Sequence, residues 1–239
     1  MLNVKRQELK FWFPSSKKDF IKQLLGSLML IDTNNVSQDG YEISSLYFDS
    51  LEDKDLNQKL DGILYREKYR LRIYNRDISS GKFEIKRKLN SVIEKLSITV
   101  TNTQIQDILK GDYSSIEKNN SLAYAAKLMN IFHYSPKTIV TYQRYAFYLP
   151  FNRIRITIDS NLSSHGFNTD LLNIEKIEKN NLTKDNHSIL EVKFEDELPD
   201  YIMKVLYDMP FTRSAISKYS LSRIDNNTEL KSDEPYIPF

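Results

Sequence analysis

The sequence predicts an α+β fold in which an antiparallel sheet predominates, and three features predict it. Alternation of polar and apolar residues recurs in eight separate segments, the period of a strand with two unlike faces. Helical periodicity is confined to short stretches between those segments. Several of the strands carry basic residues on one face and apolar residues on the other.

The first strand is RQELKFWF (6–13), in which Arg6, Glu8 and Lys10 alternate with Leu9, Phe11 and Phe13. Ser15 or Ser16 is placed to cap a helix over 17–28, with Phe20, Ile21, Leu24, Leu25 and Leu28 on one face. A strand follows at 41–50, then a short helix near 52–61 that Gly62 terminates. ILYREKYRLRIYN (63–75) alternates for its full length, and 82–90 and 91–100 are the next strands. Helices fit 103–110, ending at Gly111, and 121–131. Strands at 138–149, 152–162 and 188–196 complete the set. A helix over 199–208 lies between Pro199 and Pro210, and a final helical segment spans 213–222. Residues 1–224 show no internal repeat or boundary and read as one domain, with 225–239 a polar tail.

The chain has 239 residues, of which 40% are hydrophobic and 28% charged, enough to bury a sizeable core. The 28 aromatic residues argue against disorder. No apolar run approaches the roughly 20 residues needed to span a bilayer. The start, MLNVKRQELKF, has charges where a signal peptide has its apolar segment. There is no Cys, which excludes a thiol nucleophile, a disulfide framework and a Cys–zinc site. A cytoplasmic protein without direct membrane insertion is the expectation.

Net charge is +2, but residues 66–95 hold ten Lys/Arg against four Asp/Glu. On the strand at 63–75, one face carries Arg66, Lys68, Arg70 and Arg72 and the other Tyr65, Tyr69, Leu71 and Ile73, with Glu67 the one intruder. Lys82, Glu84, Lys86 and Lys88 share a face. So do Arg153, Arg155, Thr157 and Asp159, and also Glu191, Lys193 and Glu195, which lie opposite Leu190, Val192 and Phe194. Arg144 and Lys95 belong to similar faces. An outward-facing strand ordinarily mixes charge signs, because like charges side by side repel. Two arrangements satisfy the pattern. In an open sheet the polar faces are solvated; in a closed one they line a lumen that suits an anion with many oxygens. Glu8, Glu84, Asp159 and Glu191 are either ion-pair partners that hold the cations or, for Glu191 above all, ligands of a divalent cation bridging phosphates.

Other chemistries lack their residues. No glycine-rich phosphate loop is present. His133, His165 and His187 form no metal-spaced or triad-like group, and Ser214, Ser217 and Ser220 sit in no nucleophile elbow. The tyrosines of 63–75 lie opposite the cations and provide no stacking platform beside them, which argues against nucleic acid.

Eight pieces in order, RQELKF (6–11), YFD (47–49), LDGILYREKYRLRIY (60–74), FEIKRK (83–88), YQRYAF (142–147), RIRITIDSNL (153–162), LEVKF (190–194) and SKYSLSR (217–223), resemble the VTC (vacuolar transporter chaperone) polyphosphate polymerase domain of the triphosphate tunnel metalloenzyme superfamily. The resemblance implies an eight-stranded antiparallel β-barrel tunnel with a charged lumen and flanking helices. It implies that Lys10, Arg70, Arg72, Lys86, Arg144 and Arg155, with Lys95, bind phosphate. It further implies that Glu191 holds Mn²⁺ or Mg²⁺ and that Lys218 serves in catalysis, with Lys59 or Arg66 filling one more position. ATP and polyphosphate are the implied substrates, and a membrane-protein subunit a possible partner for export. Arg6 stands where the wider superfamily has a Glu, and Ser97 where some relatives have a further basic residue. The first departure favours the polymerase branch over a simple hydrolase. Two other readings of the scaffold are a metal-dependent triphosphatase and a non-catalytic module binding polyphosphate or inositol polyphosphate.

Overall fold

A computed structural model describes residues 6–89, 92–183 and 186–226. In chain order the elements are β1 (Arg6–Pro14), α1 (Lys18–Leu28), β2 (Leu30–Ile31), β3 (Tyr41–Asp49), α2 (Lys54–Leu60), β4 (Tyr65–Tyr74), β5 (Asp77–Leu89), β6 (Val92–Thr101), α3 (Asn102–Leu109), α4 (Ser114–Glu117), α5 (Ala123–Ile131), β7 (Ser135–Leu149), β8 (Ile154–Ser164), β9 (Asn180–Asn181), β10 (His187–Glu195), α6 (Asp200–Asp208), β11 (Thr212–Arg213) and α7 (Lys218–Asn226). Each of the eight expected strands appears. β2, β9 and β11 are two-residue strands, too short to carry a period.

Two helix starts differ from the sequence reading. Residues 15–17 form a 3-10 turn, and the Ser15 hydroxyl bonds that of Ser188 at 2.8 Å instead of capping α1. The last helix begins at Lys218, five residues later than expected, because residues 212–213 are drawn into the sheet. Beyond Asn226 the expected tail lies outside the described residues.

The expected closed eight-stranded barrel is not what forms. Among the described residues the sheet has eleven strands, all antiparallel, in the order β11-β1-β10-β8-β7-β3-β4-β5-β6, with β2 on β7 and β9 on β8, and it is not closed. On the edge of β1 lies β11, through Phe11 opposite Arg213 and Trp12 opposite Thr212, and among the described residues β6 makes no ladder with either. The sheet nonetheless curls. β1 and β5 are six steps apart, about 29 Å in a flat sheet at about 4.8 Å per strand, yet Lys86 Nζ on β5 donates to Glu8 Oε2 on β1 at 2.9 Å.

Three apolar clusters set this curl. On the convex side, Ile105, Ile108, Ile116, Ala126 and Met129 of α3, α4 and α5 cover Leu46, Tyr69, Leu71, Phe83 and Ile85. Ile21 and Leu25 of α1 and Ile202 and Val205 of α6 cover Phe13, Ile156, Leu190 and Val192. The third cluster lies within the curl, where Ile216 and Tyr219 meet Tyr41, Ile43, Tyr47, Val140, Tyr142 and Ile189. The rings of Tyr47 and Tyr219 stack with centroids 5.2 Å apart. Asp49, at the end of β3, anchors this plug. It accepts from the Tyr219 hydroxyl at 2.6 Å and from the backbone N–H groups of Ser50, Asp55 and Leu56 at 2.8, 2.8 and 2.9 Å. Gly40 admits the chain to β3 with φ +87°; a Cβ there would lie 2.0 Å from the Arg144 carbonyl oxygen.

Candidate anion-binding site on the concave face

The concave face takes its charge from the strand period. On β4, Tyr69, Leu71 and Ile73 are buried in the convex core, which turns Lys68, Arg70 and Arg72 inward. Glu67, on the convex side, is accounted for by its neighbours: it pairs with Arg87 and accepts from the Tyr69 hydroxyl. On β8 and β10, Ile156, Ile158, Leu190 and Val192 enter the other convex cluster and leave Thr157, Asp159 and Glu191 inside.

Four carboxylates hold the inward cations, three of them buried and the fourth, Glu8, half-buried. Glu84, 3% exposed, binds Arg70 Nε at 2.7 Å, Arg72 Nη1 at 3.6 Å and the Lys95 ammonium. Glu8 binds Lys10 at 3.1 Å and Lys86 at 2.9 Å. Asp159, wholly buried, binds Arg144 through both its oxygens at 2.6 and 2.7 Å and Lys218 at 2.6 Å. Glu191 takes Lys193 at 2.7 Å on one oxygen and Arg144 at 3.3 Å on the other. Burial alone would raise these acids. Arg70, Arg72 and Lys95 overcome it and hold Glu84 at about 2, and Arg144 and Lys218 hold Asp159 at about 2. Against the same burial, Lys193, Lys10, Arg144 and Lys218 hold Glu191 well below the usual carboxylate range. All four are anionic at neutral pH.

The start of α7 enters this network from within the curl. Lys218 reaches Asp159 on β8, while Lys68 Nζ on β4 donates to Ser217 Oγ at 2.7 Å and Lys10 Nζ on β1 donates to the Ile216 carbonyl at 3.0 Å. Tyr142 joins the two halves. Its ring lies 4.6 Å from Lys218 Nζ and 5.3 Å from the Arg144 guanidinium, and Arg72 Nη2 donates to its hydroxyl at 3.5 Å. Burial pushes the phenol up, but Arg144, Arg72 and Lys218 pull it below its ordinary value. Arg155 stands apart from the rest, donating to Asp32 at 2.9 Å and to the Tyr41 hydroxyl at 3.3 Å. Its Nε and Thr157 Oγ1 are buried without a hydrogen-bond partner. Among the described residues no three His, Cys, Asp or Glu side chains are arranged to hold a metal by themselves.

The model of the VTC domain family matches residues 5–223. The chain belongs to the VTC domain family. No curated protein matches it. Solved structures similar to this VTC domain include the PH1819 protein of Pyrococcus horikoshii OT3, at 14% identity, covering 92% of this chain and 99% of that one with a TM-score of 0.47. Another is a putative adenylate cyclase from Bacillus halodurans, at 12% identity, 86% and 89% coverage and a TM-score of 0.46. A third match is to a chain in the Schizosaccharomyces pombe Mediator head module, at 11% identity, 87% and 100% coverage and a TM-score of 0.45.

Of the site residues named from sequence, Lys10, Arg70, Arg72, Lys86, Lys95, Arg144, Glu191 and Lys218 of this VTC domain are linked through the four carboxylates and Tyr142. Arg66 turns to the Ile63 carbonyl at 2.7 Å. Lys59 is pushed below its ordinary value by burial and then by Arg66, Lys10 and Lys88. Three members of the network were not singled out by sequence. Lys193 shares the inward face of Glu191, a signal present in the alternation of 190–194. Lys68 lies on the basic face of β4. Tyr142 sits two residues before Arg144 on a face that also carries Thr138, Val140 and Ala146, and nothing in the spacing sets it apart. No described helix is long and apolar enough to cross a membrane.

Proposed function

We propose that this VTC domain is an ATP-dependent polyphosphate polymerase whose substrates lie along the concave basic face, used as a tunnel. The observation that carries the reading is the convergence of Lys10, Arg70, Arg72, Lys86, Arg144 and Lys218 on one curled face, from strands that a flat sheet would hold far apart. Membership of the VTC domain family supports a polyphosphate-related enzyme of the tunnel type.

Phosphoryl transfer demands mainly positioning and neutralisation of charge on phosphate oxygens. Arg70, Arg72, Lys86 and Lys95 would take one part of the phosphate chain, Arg144, Lys10 and Lys218 the other, and Arg155 would stand at the rim. A terminal phosphate oxygen of the growing chain attacks the γ-phosphorus of ATP; the bond to the bridging oxygen breaks and ADP leaves with the electron pair. Lys218, beside Arg144 and Asp159, orients the attacking phosphate. Glu191 and Glu8 offer carboxylate oxygens, and they lie close enough to repel. Such a set suits a hard divalent ion that arrives with phosphate, because Mg²⁺ typically takes one or two carboxylates and completes its shell with phosphate and water. Glu191 would hold Mn²⁺ or Mg²⁺, which when bound neutralises charge on the transferred group. An entering polyphosphate would take over Arg144 and Lys193 and free the Glu191 oxygens for that role. Synthesis would be cytoplasmic, with a membrane-protein partner supplying any export.

The test is incubation of the purified protein with ATP and Mn²⁺. Long polyphosphate with stoichiometric ADP is the expected product. Free phosphate alone would make the protein a triphosphatase, and binding without turnover a polyanion-binding module.

A further inference from the structure

Among the described residues Lys68 differs from its neighbours in the curl. Lys10, Arg70, Arg72, Lys86, Lys95, Arg144, Lys193 and Lys218 each lie within ion-pair distance of one of the four carboxylates, whereas Lys68 makes no described ion pair. Its ammonium donates to Ser217 Oγ at 2.7 Å and lies 5.9 Å from the Tyr219 ring. The charged groups that act on it most strongly are cations: Lys10 from β1, Lys59 from α2, Lys86 from β5, and Arg66 from its own strand. Lys86 and Arg66 have partners of their own, in Glu8 and the Ile63 carbonyl. Ser217 Oγ is already shared with the backbone N–H and hydroxyl of Ser220 at 3.3 and 3.1 Å. Lys68 therefore sits among cations with one neutral acceptor and no described ion pair of its own, the Glu8 carboxylate on β1 being engaged by Lys10 and Lys86.

We propose that Lys68 is a further phosphate-binding residue of the concave face, and that it takes up a proton when a polyphosphate enters and supplies a counter-charge. The proposal rests on the polyphosphate reading above and adds to it a residue and a coupled proton. Burial first, and then Lys10, Lys59, Lys86 and Arg66, push the Lys68 ammonium down to about 7 in the ligand-free protein. A lowered lysine is charged below that pH and neutral above it. Phosphate oxygens in the cluster reverse the repulsion and restore the charged form. Binding above pH 7 thus has to draw a proton from solvent, and by linkage the affinity contributed at Lys68 falls by up to about tenfold for each pH unit above 7. Lys68→Arg is charged throughout and has no such dependence.

The experiment is isothermal titration of the full chain with tripolyphosphate at pH 6, 7, 8 and 9, in buffers of different ionisation heat, for the wild type and Lys68→Arg. Comparing the two proteins cancels the titration of tripolyphosphate itself. The expected result is that the wild type takes up close to one proton more than Lys68→Arg at pH 8, and that its affinity falls relative to the variant as pH rises. Lys68→Gln gives a second check in which the sign is opposite. It should bind at least tenfold more weakly than wild type at pH 6, and the gap should close towards pH 9. Equal proton uptake in wild type and Lys68→Arg, or a Lys68→Gln gap that does not change with pH, overturns the role of Lys68. Failure of wild type and both variants to bind tripolyphosphate at any pH overturns the polyphosphate reading itself.

Discussion

Replacing Glu84 by Gln keeps the shape of the side chain and removes the charge that holds Arg70, Arg72 and Lys95 together. The cost can be worked out from the carboxyl itself. Burial would raise it, but the three cations hold it at about 2 against an ordinary 4.5. At about 1.4 kcal/mol for each tenfold change in proton affinity, that difference corresponds to about 3 kcal/mol of stability at neutral pH. Most of it belongs to Arg70 and Arg72, because Lys95 is half exposed and its contact is screened by water. For a chain of this size the loss lowers the melting temperature by about 6–12 °C. The same substitution leaves two guanidinium groups without a carboxylate in a buried site, so tripolyphosphate should restore more stability to Glu84→Gln than it adds to the wild type. The assay is thermal unfolding of both proteins at pH 7 in dilute chloride, with and without tripolyphosphate. A variant that melts with the wild type and gains no more from tripolyphosphate would refute the account of Glu84 as an internal counter-charge.

Acid should undo the same network. Glu84 and Asp159 both titrate lower in the folded than in the unfolded protein, so their contributions are complete above pH 4.5 and 3.8 and are lost as pH falls towards about 2, which acid unfolding monitored by circular dichroism will show. Arg72→Ala should weaken tripolyphosphate binding by about tenfold or more, the loss expected of a charge-assisted hydrogen bond, as read by titration calorimetry. Glu191→Gln should abolish metal-dependent turnover while leaving metal-free tripolyphosphate binding largely intact; a folded variant that makes polyphosphate at the wild-type rate with unchanged metal dependence contradicts the assignment. Gly40→Ala should destabilise the fold by about 3 kcal/mol or more, since its methyl group meets the backbone of Arg144 and the positive φ disfavours any side chain, and urea unfolding will measure it.

The strands and their faces were legible because the convex side is largely apolar, Glu67 and its partner Arg87 apart. With Leu71, Ile156 and Val192 committed to packing under helices, Arg72, Arg155 and Glu191 had to face the other way. Glu8, Glu84 and Asp159, read as ion-pair partners, do hold cations. What local sequence could not reveal depends on contacts between distant parts of the chain. β11 is two residues long, too short to carry a period, and it stands beyond Phe11 and Trp12 at one end of the open sheet. The plug of Tyr47 and Tyr219 is set by Asp49 reaching α7, and no period in 41–50 announces which of its aromatics turn inward. Lys68 is one cation among four on β4 in the sequence; only the placement of carboxylates on other strands shows that, unlike Arg70 and Arg72, it makes no described ion pair.

The four carboxylates have a consequence for which anions the concave face can admit. Each is a competitor tethered beside its arginine or lysine, at a local concentration that a free anion in solution must overcome. Orthophosphate can displace one carboxylate at a time and forfeits its own translational freedom for each. A chain of linked phosphates displaces several while losing that freedom once. If the concave face binds polyphosphate as proposed, the internal carboxylates would act as a filter on valence: they would let the protein fold with its cations neutralised and yield to long polyanions far more readily than to small ones.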